Sequence, residues 1–179
     1  MTDTREHKNR LSTPAAGQEV VDNRSVADAD SLNWLLPEQG QQQPFLLPIT
    51  VSSDAIDHYG HVNNAVYLKW LEEAGWAHLH QLGITLERYE AWDVAMVVHR
   101  HELDYVAPAH EGDQLIMATW LERHNRISAF RRFELKRICD GRTLFKAYSH
   151  YVCTYMSNGK ARRIPKALTE CYDLACPSG

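Results

Sequence analysis

Residues 57–83 read DHYGHVNNAVYLKWLEEAGWAHLHQLG, and apolar side chains recur in them at helical three- and four-residue steps. This spacing predicts an amphipathic helix over residues 63–82. Asn63 or Asn64 is a good N-cap, and Gly83 is placed as a C-terminal stop. At 1.5 Å per residue, such a helix is about 30 Å long and needs a broad sheet to cover it. The apolar stripe consists of Val66, Trp70, Ala74, Ala77 and Leu82.

The flanking sequence supplies that sheet. Short polar turns separate segments that are rich in β-branched and aromatic residues, which is typical of strands. Because these turns are short, the last four strands are expected to be successive antiparallel neighbours. We therefore predict an α+β fold, in which a curved antiparallel sheet wraps around one central helix. The predicted strands are Phe45–Ser53, Val94–Val106, Asp113–Arg123, Ile127–Ile138 and Thr143–Met156.

Composition divides the chain into three parts. Residues 1–43 carry scattered charges and isolated apolar residues, so they are expected to form a flexible leader. A short apolar patch over residues 31–37 could dock on the folded body. The domain itself is expected over residues 44–168, and residues 169–179 are expected to form a C-terminal tail.

The overall charge and the cysteines exclude several classes of protein. Lys and Arg total 19 against 23 Asp and Glu, so no basic footprint for nucleic acid is present. No apolar stretch reaches the roughly 20 residues that span a bilayer, and no secretory signal is evident. We expect a soluble cytoplasmic protein. Its four cysteines lack a C-x-x-C pair and are expected to be free thiols.

The stretch before the central helix contains a candidate for acyl-transfer chemistry. Asp57 lies in a loop that leads to the helix start, where the first backbone N–H groups lack intrahelical partners. Such N–H groups can stabilise an oxyanion, and a nearby carboxylate can act as a nucleophile or as the base for water. The structural alternative is that Asp57 caps a turn while Asn63 and Asn64 cap the helix. Spacing alone favours that alternative.

Two motifs resemble those of hotdog-fold acyl-CoA thioesterases. Residues 57–74 read Asp-x-x-Gly-His-Val-Asn-Asn-x-x-Tyr-x-x-Trp-x-Glu-Glu-Ala, similar to the signature of the group that includes 4-hydroxybenzoyl-CoA thioesterase. The His-Val-Asn-Asn core is also similar to plant acyl-ACP thioesterases. Residues 103–115, LDYVAPAHEGDQL, resemble the second strand of the family and the turn after it. The resemblance extends from about Phe45 to Leu168.

The resemblance implies specific roles and an assembly. Asp57 corresponds to the catalytic carboxylate, acting as nucleophile or general base, and the oxyanion donor is the backbone amide of Asn64 or a neighbour. The family works as homodimers, often paired into homotetramers, with active sites at the subunit interface. No metal or redox cofactor is required. The residues expected to contact substrate in this region are Gly60, Val62, Asn63 and Tyr67.

Other positions leave alternatives open. His61 could orient the substrate or hold Asp57, or its imidazole could tie the loop to the helix start. Tyr59 and Ala109 stand where the plant enzymes have an asparagine and a cysteine, and Gly75 stands where many bacterial relatives have an arginine. These departures weaken any inference about the preferred acyl group.

Charged residues further along the chain also have two interpretations. Arg131 and Arg132 belong to a basic cluster that is either a solvated sheet edge or a contact for coenzyme A phosphates or a carrier protein. Glu73 lies about 13 Å along the helix from Asn64, so a structural or interface role is expected. The ten histidines offer no clear set of zinc ligands, and no metal site is predicted.

The predicted activity is hydrolysis of an acyl-CoA thioester to a free carboxylic acid and CoA. Two alternatives are a thioesterase that releases acyl groups from acyl carrier protein in a biosynthetic pathway and a non-catalytic acyl-CoA-binding protein.

Overall fold

The computed structural model describes residues 43–176, which form five strands, three α-helices and one 3₁₀ turn. The predicted leader, with its apolar patch at 31–37, falls outside this range except for residue 43. The strands are β1 (Phe45–Thr50), β2 (Ala95–Tyr105), β3 (Gln114–His124), β4 (Ser128–Arg137) and β5 (Thr143–Thr154). The helices are α1 (Asn64–Gln81), α2 (Leu86–Ala91) and α3 (Lys166–Ala175), and the 3₁₀ turn is Ser53–Ala55.

The central helix α1 begins and ends as its sequence predicts. The Asn63 side chain accepts a hydrogen bond from the Ala65 N–H at 2.9 Å, which makes Asn63 the N-cap. Gly83 adopts φ +73°, a left-handed conformation that glycine takes without steric cost. One face of the helix is buried at three- and four-residue intervals, as expected for a helix that packs on a sheet. The buried residues are Tyr67, Trp70, Leu71, Ala74 and His78.

All five strands form one antiparallel sheet in the order β1-β3-β4-β5-β2. Register shifts after Val98 in β2 and after Leu121 in β3 mark irregularities that bend a sheet. The main core lies between this sheet and α1, so the predicted α+β arrangement is confirmed. Strand residues that contribute to this core include Leu115, Met117, Phe133, Leu135 and Phe145.

The expectation that the last four strands are successive neighbours is wrong for β2. The hairpins β3–β4 and β4–β5 form, but β2 pairs with β5, and β3 pairs on its other side with β1. The segment after β2 forms no tight turn because its backbone groups bond elsewhere. Val106 and Ala107 donate to the Leu144 carbonyl at 2.8 and 3.1 Å, and the Ala109 carbonyl accepts from Val62 at 2.9 Å. Both β1, with Pro48, and β2 are therefore edge strands.

A second apolar cluster involves two helices that the sequence did not predict. Thr85 caps α2 by accepting from the Arg88 N–H at 3.5 Å. Helix α3 starts before residue 168, where the expected domain ends, and continues into the expected tail. The cluster includes Ile84, Tyr89, Val94, Leu121, Cys153, Leu168 and Tyr172.

The cysteines lie within the described range and are unpaired, which confirms the expected free thiols. Between residues 43 and 176, no helix is both long and apolar enough to cross a membrane.

Candidate active site

A closed loop over residues 56–63, called the site loop below, joins the 3₁₀ turn to α1. Ile56 and Val62 form an antiparallel bridge, and the Asp57 N–H donates to the His61 carbonyl at 2.8 Å. The Gly60 N–H donates to the Asp57 carbonyl at 3.0 Å, and Gly60 adopts φ +78°. Because side chains of L-residues rarely tolerate this conformation, glycine is needed to close the loop.

The Asp57 carboxylate is fixed by the loop that it begins. Its Oδ1 atom accepts from the Tyr59 N–H at 2.8 Å and from the His61 N–H at 3.4 Å. Its Oδ2 atom has no hydrogen-bond partner among residues 43–176. Asp57 therefore caps its turn, as the structural alternative expects, and still presents one carboxylate oxygen for chemistry.

The start of α1 leaves one backbone donor unused. The Asn63 N–H donates to the Ala55 carbonyl at 2.9 Å, and the Ala65 and Val66 N–H groups both donate to Asn63, each at 2.9 Å. Within the described chain, the Asn64 N–H has no acceptor. It lies at the positive end of an 18-residue helix and can donate to a carbonyl oxygen that acquires negative charge.

Tyr67 joins the two sequence motifs inside the core. Its side chain is 2% exposed, and its hydroxyl accepts from the Ala109 N–H at 3.3 Å. Burial raises the pKa of the Tyr67 hydroxyl, so it stays protonated. Val62, also expected to contact substrate, is buried and donates its N–H to the Ala109 carbonyl. Tyr67 and Val62 thus hold the site loop from its buried side, whereas Gly60 and Asn63 lie on the exposed side of the loop.

His61 holds Asp57 through its backbone N–H rather than through its imidazole. The exposed His61 ring lies 5.1 Å from the ring of His110, edge to face. His110 and Tyr105 were not predicted as site residues, although both belong to the second motif. The Tyr105 hydroxyl donates to the Asn64 carbonyl at 3.1 Å, which ties the start of α1 to the end of β2.

The two arginines of the basic cluster point to opposite sides of β4. Arg132 is exposed, and its Nε atom pairs with Glu122 at 2.5 Å. Arg131 is 3% exposed, and its Nη1 atom donates to His78 Nδ1 at 2.8 Å and to Thr119 Oγ1 at 3.2 Å. The solvated-edge interpretation is therefore wrong for Arg131, because β4 is a central strand. Arg132 faces solvent, whereas Arg131 faces the space between α1 and the sheet.

A cavity of about 580 Å³ opens between α1 and the sheet. Asp57 and Asn64 do not line it, and its first lining residue on α1 is Leu68, one helical turn beyond Asn64. Glu72 lies on the exposed part of its lining. The lining is mainly apolar and aromatic, and it includes Leu71, Trp76, Leu79, Tyr89, Met96, Leu121, Arg131, Tyr151 and Tyr172.

Neighbouring histidines on β2 and β5 contact other side chains in the described part of the chain. His101 Nδ1 lies 2.8 Å from Ser149 Oγ, and the His99 ring packs against that of His150 at 4.9 Å. Across residues 43–176, no group of three or more His, Cys, Asp or Glu side chains could hold a metal ion.

Comparison with known proteins shows which family the sequence matches. Residues 51–171, which include the site loop and α1, match the model of the Thioesterase-like superfamily. The chain is 30% identical over 122 residues to the long-chain acyl-CoA thioesterase FadM of Escherichia coli K12, covering 68% of this chain and 92% of the relative.

Solved structures show the same fold. YbaW, a probable thioesterase from Escherichia coli, is 28% identical, with a TM-score of 0.66 over 73% of this chain and 98% of its own. Slr0204, a 1,4-dihydroxy-2-naphthoyl-CoA thioesterase from Synechocystis, is 22% identical, with a TM-score of 0.67 over 72% of this chain and 95% of its own. These likenesses confirm the hotdog fold.

Proposed function

The chain belongs to the Thioesterase-like superfamily, and from that membership we propose that it hydrolyses acyl-CoA thioesters to a free carboxylic acid and CoA. FadM, named as a long-chain acyl-CoA thioesterase, supports thioester hydrolysis and an acyl-CoA substrate. The observation that carries the proposed mechanism is that the Asn64 N–H at the start of α1 has no acceptor in the described chain. Asn64 follows directly on the loop that fixes Asp57.

In the proposed reaction, the thioester carbonyl oxygen accepts a hydrogen bond from the Asn64 N–H. The free Oδ2 of Asp57 either attacks the carbonyl carbon or removes a proton from the water that attacks it. On either route the carbon–sulfur bond then breaks, and CoA leaves as a thiolate that takes up a proton. Where water attacks, this step releases the free acid directly. Where Asp57 attacks, the acyl group remains on its carboxylate as a mixed anhydride, which water then hydrolyses to the free acid and the regenerated carboxylate. His61, an exposed residue of the site loop, orients the thioester. Both routes for Asp57 need the carboxylate ionised and close to the carbonyl.

The role of Asp57 is tested by thiol release from a panel of thioesters, from benzoyl-CoA to palmitoyl-CoA. Asp57→Asn keeps a side-chain oxygen for the loop amides but removes the carboxylate, so turnover is expected to fall at least ~10²-fold. Asp54→Asn, an exposed carboxylate three residues earlier, is the control and is expected to retain activity. Equal activity of wild type and Asp57→Asn would show that Asp57 only closes the loop.

The oxyanion donor can be removed without disturbing the helix. Asn64 is the first helical residue, a position where proline fits because its missing N–H has no helical partner. Asn63 has φ −58° and ψ 134°, the extended conformation favoured before proline. Asn64→Pro is expected to lower kcat ~10²- to 10³-fold, whereas Asn64→Ala keeps the N–H and the activity. Equal rates for the two variants would exclude this donor.

The same assay separates the alternative functions. Turnover of acyl-carrier-protein thioesters with none of the CoA esters would replace the proposal by the carrier-linked activity. Binding of CoA esters without turnover of either substrate would replace it by a binding role.

A homodimer, alone or as half of a tetramer, is part of the proposal. Strand β2 pairs with β5 on one side only among the described residues, and its Val97 and Val98 side chains are 43% and 50% exposed. Such an unprotected edge is a template for pairing with another strand. Light scattering on a sizing column is expected to give at least twice the 20.5 kDa chain mass. The mass of one chain would contradict the dimer.

A further inference from the structure

Arg131 is a buried cation without a carboxylate partner in the described chain. Two of its five N–H groups, both on Nη1, donate to His78 and Thr119. The other three, on Nε and Nη2, have no acceptor among residues 43–176, and none of the ion pairs found there includes Arg131. A buried charge is costly unless it is paired and hydrogen-bonded. Nε and Nη2 are not among the fully buried atoms that lack a partner in this range, and Arg131 lines a cavity, so the unused donors face a space in which a ligand can bind.

The groups around Arg131 do not neutralise it. His78 accepts through Nδ1 and is uncharged, since burial and then the nearby Arg131 lower the pKa of His78 to about 3. Burial raises the pKa values of the Tyr89, Tyr151 and Tyr172 hydroxyls, which therefore stay protonated. Glu72, the acidic residue of the cavity lining, is exposed and makes no ion pair with Arg131.

The cavity extends from near the proposed oxyanion donor to this cation. Its lining on α1 begins at Leu68, one turn after Asn64, and continues to Leu79, while Arg131 lines its sheet side. Arg131 bonds to His78, which follows Asn64 by 14 residues, so the two ends are separated by about 21 Å along the helix axis. An extended alkyl chain rises about 1.25 Å per carbon, given a C–C bond near 1.5 Å, so about 16 carbons span the distance.

We propose that the cavity binds a long acyl group, of about 14 to 18 carbons, that carries a carboxylate at its far end and pairs it with the Arg131 guanidinium. This inference rests on the proposed thioesterase function and specifies its substrate. The guanidinium fork can receive both carboxylate oxygens through Nε and Nη2. The apolar lining between Leu68 and Arg131 holds the methylene chain. The volume of about 580 Å³ lies within the range of cavities that enclose small-molecule ligands.

The test compares hexadecanedioyl-CoA with palmitoyl-CoA, which differ only at the far end of the chain. Wild type is expected to prefer the carboxylated substrate in kcat/KM. Arg131→Met is expected to lower kcat/KM for hexadecanedioyl-CoA at least ~30-fold, because truncating one partner of a buried charge pair costs at least ~2 kcal/mol. The readout is the ratio of kcat/KM for hexadecanedioyl-CoA to kcat/KM for palmitoyl-CoA, which is expected to fall in Arg131→Met because only the first substrate loses an ion pair. Arg142→Met removes the same charge from an exposed turn and is expected to keep the wild-type preference.

A binding measurement keeps this inference separate from the proposed function. Free hexadecanedioic acid is expected to raise the thermal unfolding temperature of wild type more than palmitic acid does, and Arg131→Met is expected to lose that difference. If wild type hydrolyses both esters without preferring the carboxylated one, the inference fails while the thioesterase function stands. If neither ester is hydrolysed but the diacid still binds through Arg131, the function fails while the anion site stands. Equal stabilisation by the two acids overturns the site even if Arg131→Met does not fold.

Discussion

His78 makes the stability of this protein depend on pH in a predictable direction. The side chain is 8% exposed, stacks on Phe45 at 5.5 Å, and accepts a hydrogen bond from a guanidinium that never loses its proton. Burial, and then the nearby Arg131, lower its pKa from 6.5 to about 3. The folded state therefore holds His78 neutral at pH values where the unfolded chain binds a proton.

The size of the effect follows from linkage between protonation and folding. Stability rises with pH wherever the unfolded state binds more protons, so His78 destabilises the fold as the pH falls below 6.5, until the folded pKa near 3 is reached. Between pH 7.5 and pH 5.0, protonation of the His78 imidazole stabilises the unfolded state. The lower pH lies about 1.5 units below the unfolded pKa, and each unit is worth about 1.36 kcal/mol. The expected loss from this one residue is about 2 kcal/mol.

Urea denaturation at pH 7.5 and pH 5.0, at one protein concentration, measures this loss. His78→Asn places an amide oxygen where Nδ1 lies, so it can still accept from Arg131 but cannot take up the proton. The fall in unfolding free energy between the two pH values is expected to be about 2 kcal/mol smaller in this variant than in wild type. His80→Asn, on the exposed face of the same helix, is the control and should keep the wild-type fall. A wild-type fall that His78→Asn leaves unchanged would refute the neutral buried imidazole.

Three further perturbations probe the site loop and the thiols. Asn63→Ala removes the side-chain cap on Ala65 and is expected to cost about 1 kcal/mol in urea denaturation; no loss would show that the cap is dispensable. Gly60→Ala forces an L side chain into φ +78° and is expected to lower the free energy of unfolding by about 1–2 kcal/mol and to slow thiol release. Unchanged stability and activity would mean that the loop adopts another conformation without cost. Exposed Cys139 is expected to react rapidly with a thiol reagent, and buried Cys153, whose pKa is raised by burial, only on unfolding. A rapid phase of unchanged amplitude in Cys139→Ser would contradict this assignment.

The parts of the fold that depend on local sequence were predictable. The start and end of α1 each lie within one residue of the expected bounds. The agreement is this good because a capping asparagine and a left-handed glycine mark the helix ends in the local sequence. The β3–β4 and β4–β5 hairpins follow from short polar turns. The partner of β2 does not, since Ala95 pairs with Thr154 far along the chain, and only the assembled core decides that pairing. The six-residue α2 is too short for its periodicity to distinguish it from a loop.

The candidate site divides in the same way. The place of Asp57 before a helix start was readable from the motif, but the closed hydrogen bonds of its loop and the unused Asn64 N–H emerge only in three dimensions. Arg131 was predicted to lie at a solvated sheet edge or to contact coenzyme A phosphates or a carrier protein, although the alternation of residues along β4 already indicated burial. It shares a strand face with Ala129 and Phe133, both buried, and an arginine on that face must be buried with them. A count of charges along the sequence does not show that successive residues of a strand point to opposite faces, so it missed this signal.

The use of a main-chain N–H as the proposed oxyanion donor has a consequence for how this gene can vary. Nineteen of the twenty amino acids carry that N–H, so codon changes at position 64 leave the donor in place almost regardless of the side chain they encode. The exception is proline, the residue that the first turn of a helix accepts most readily. Proline at position 64 therefore favours the helix but removes the donor that turnover needs. A saturation library at this position, scored separately for protein abundance and for thioester hydrolysis, would separate the two effects.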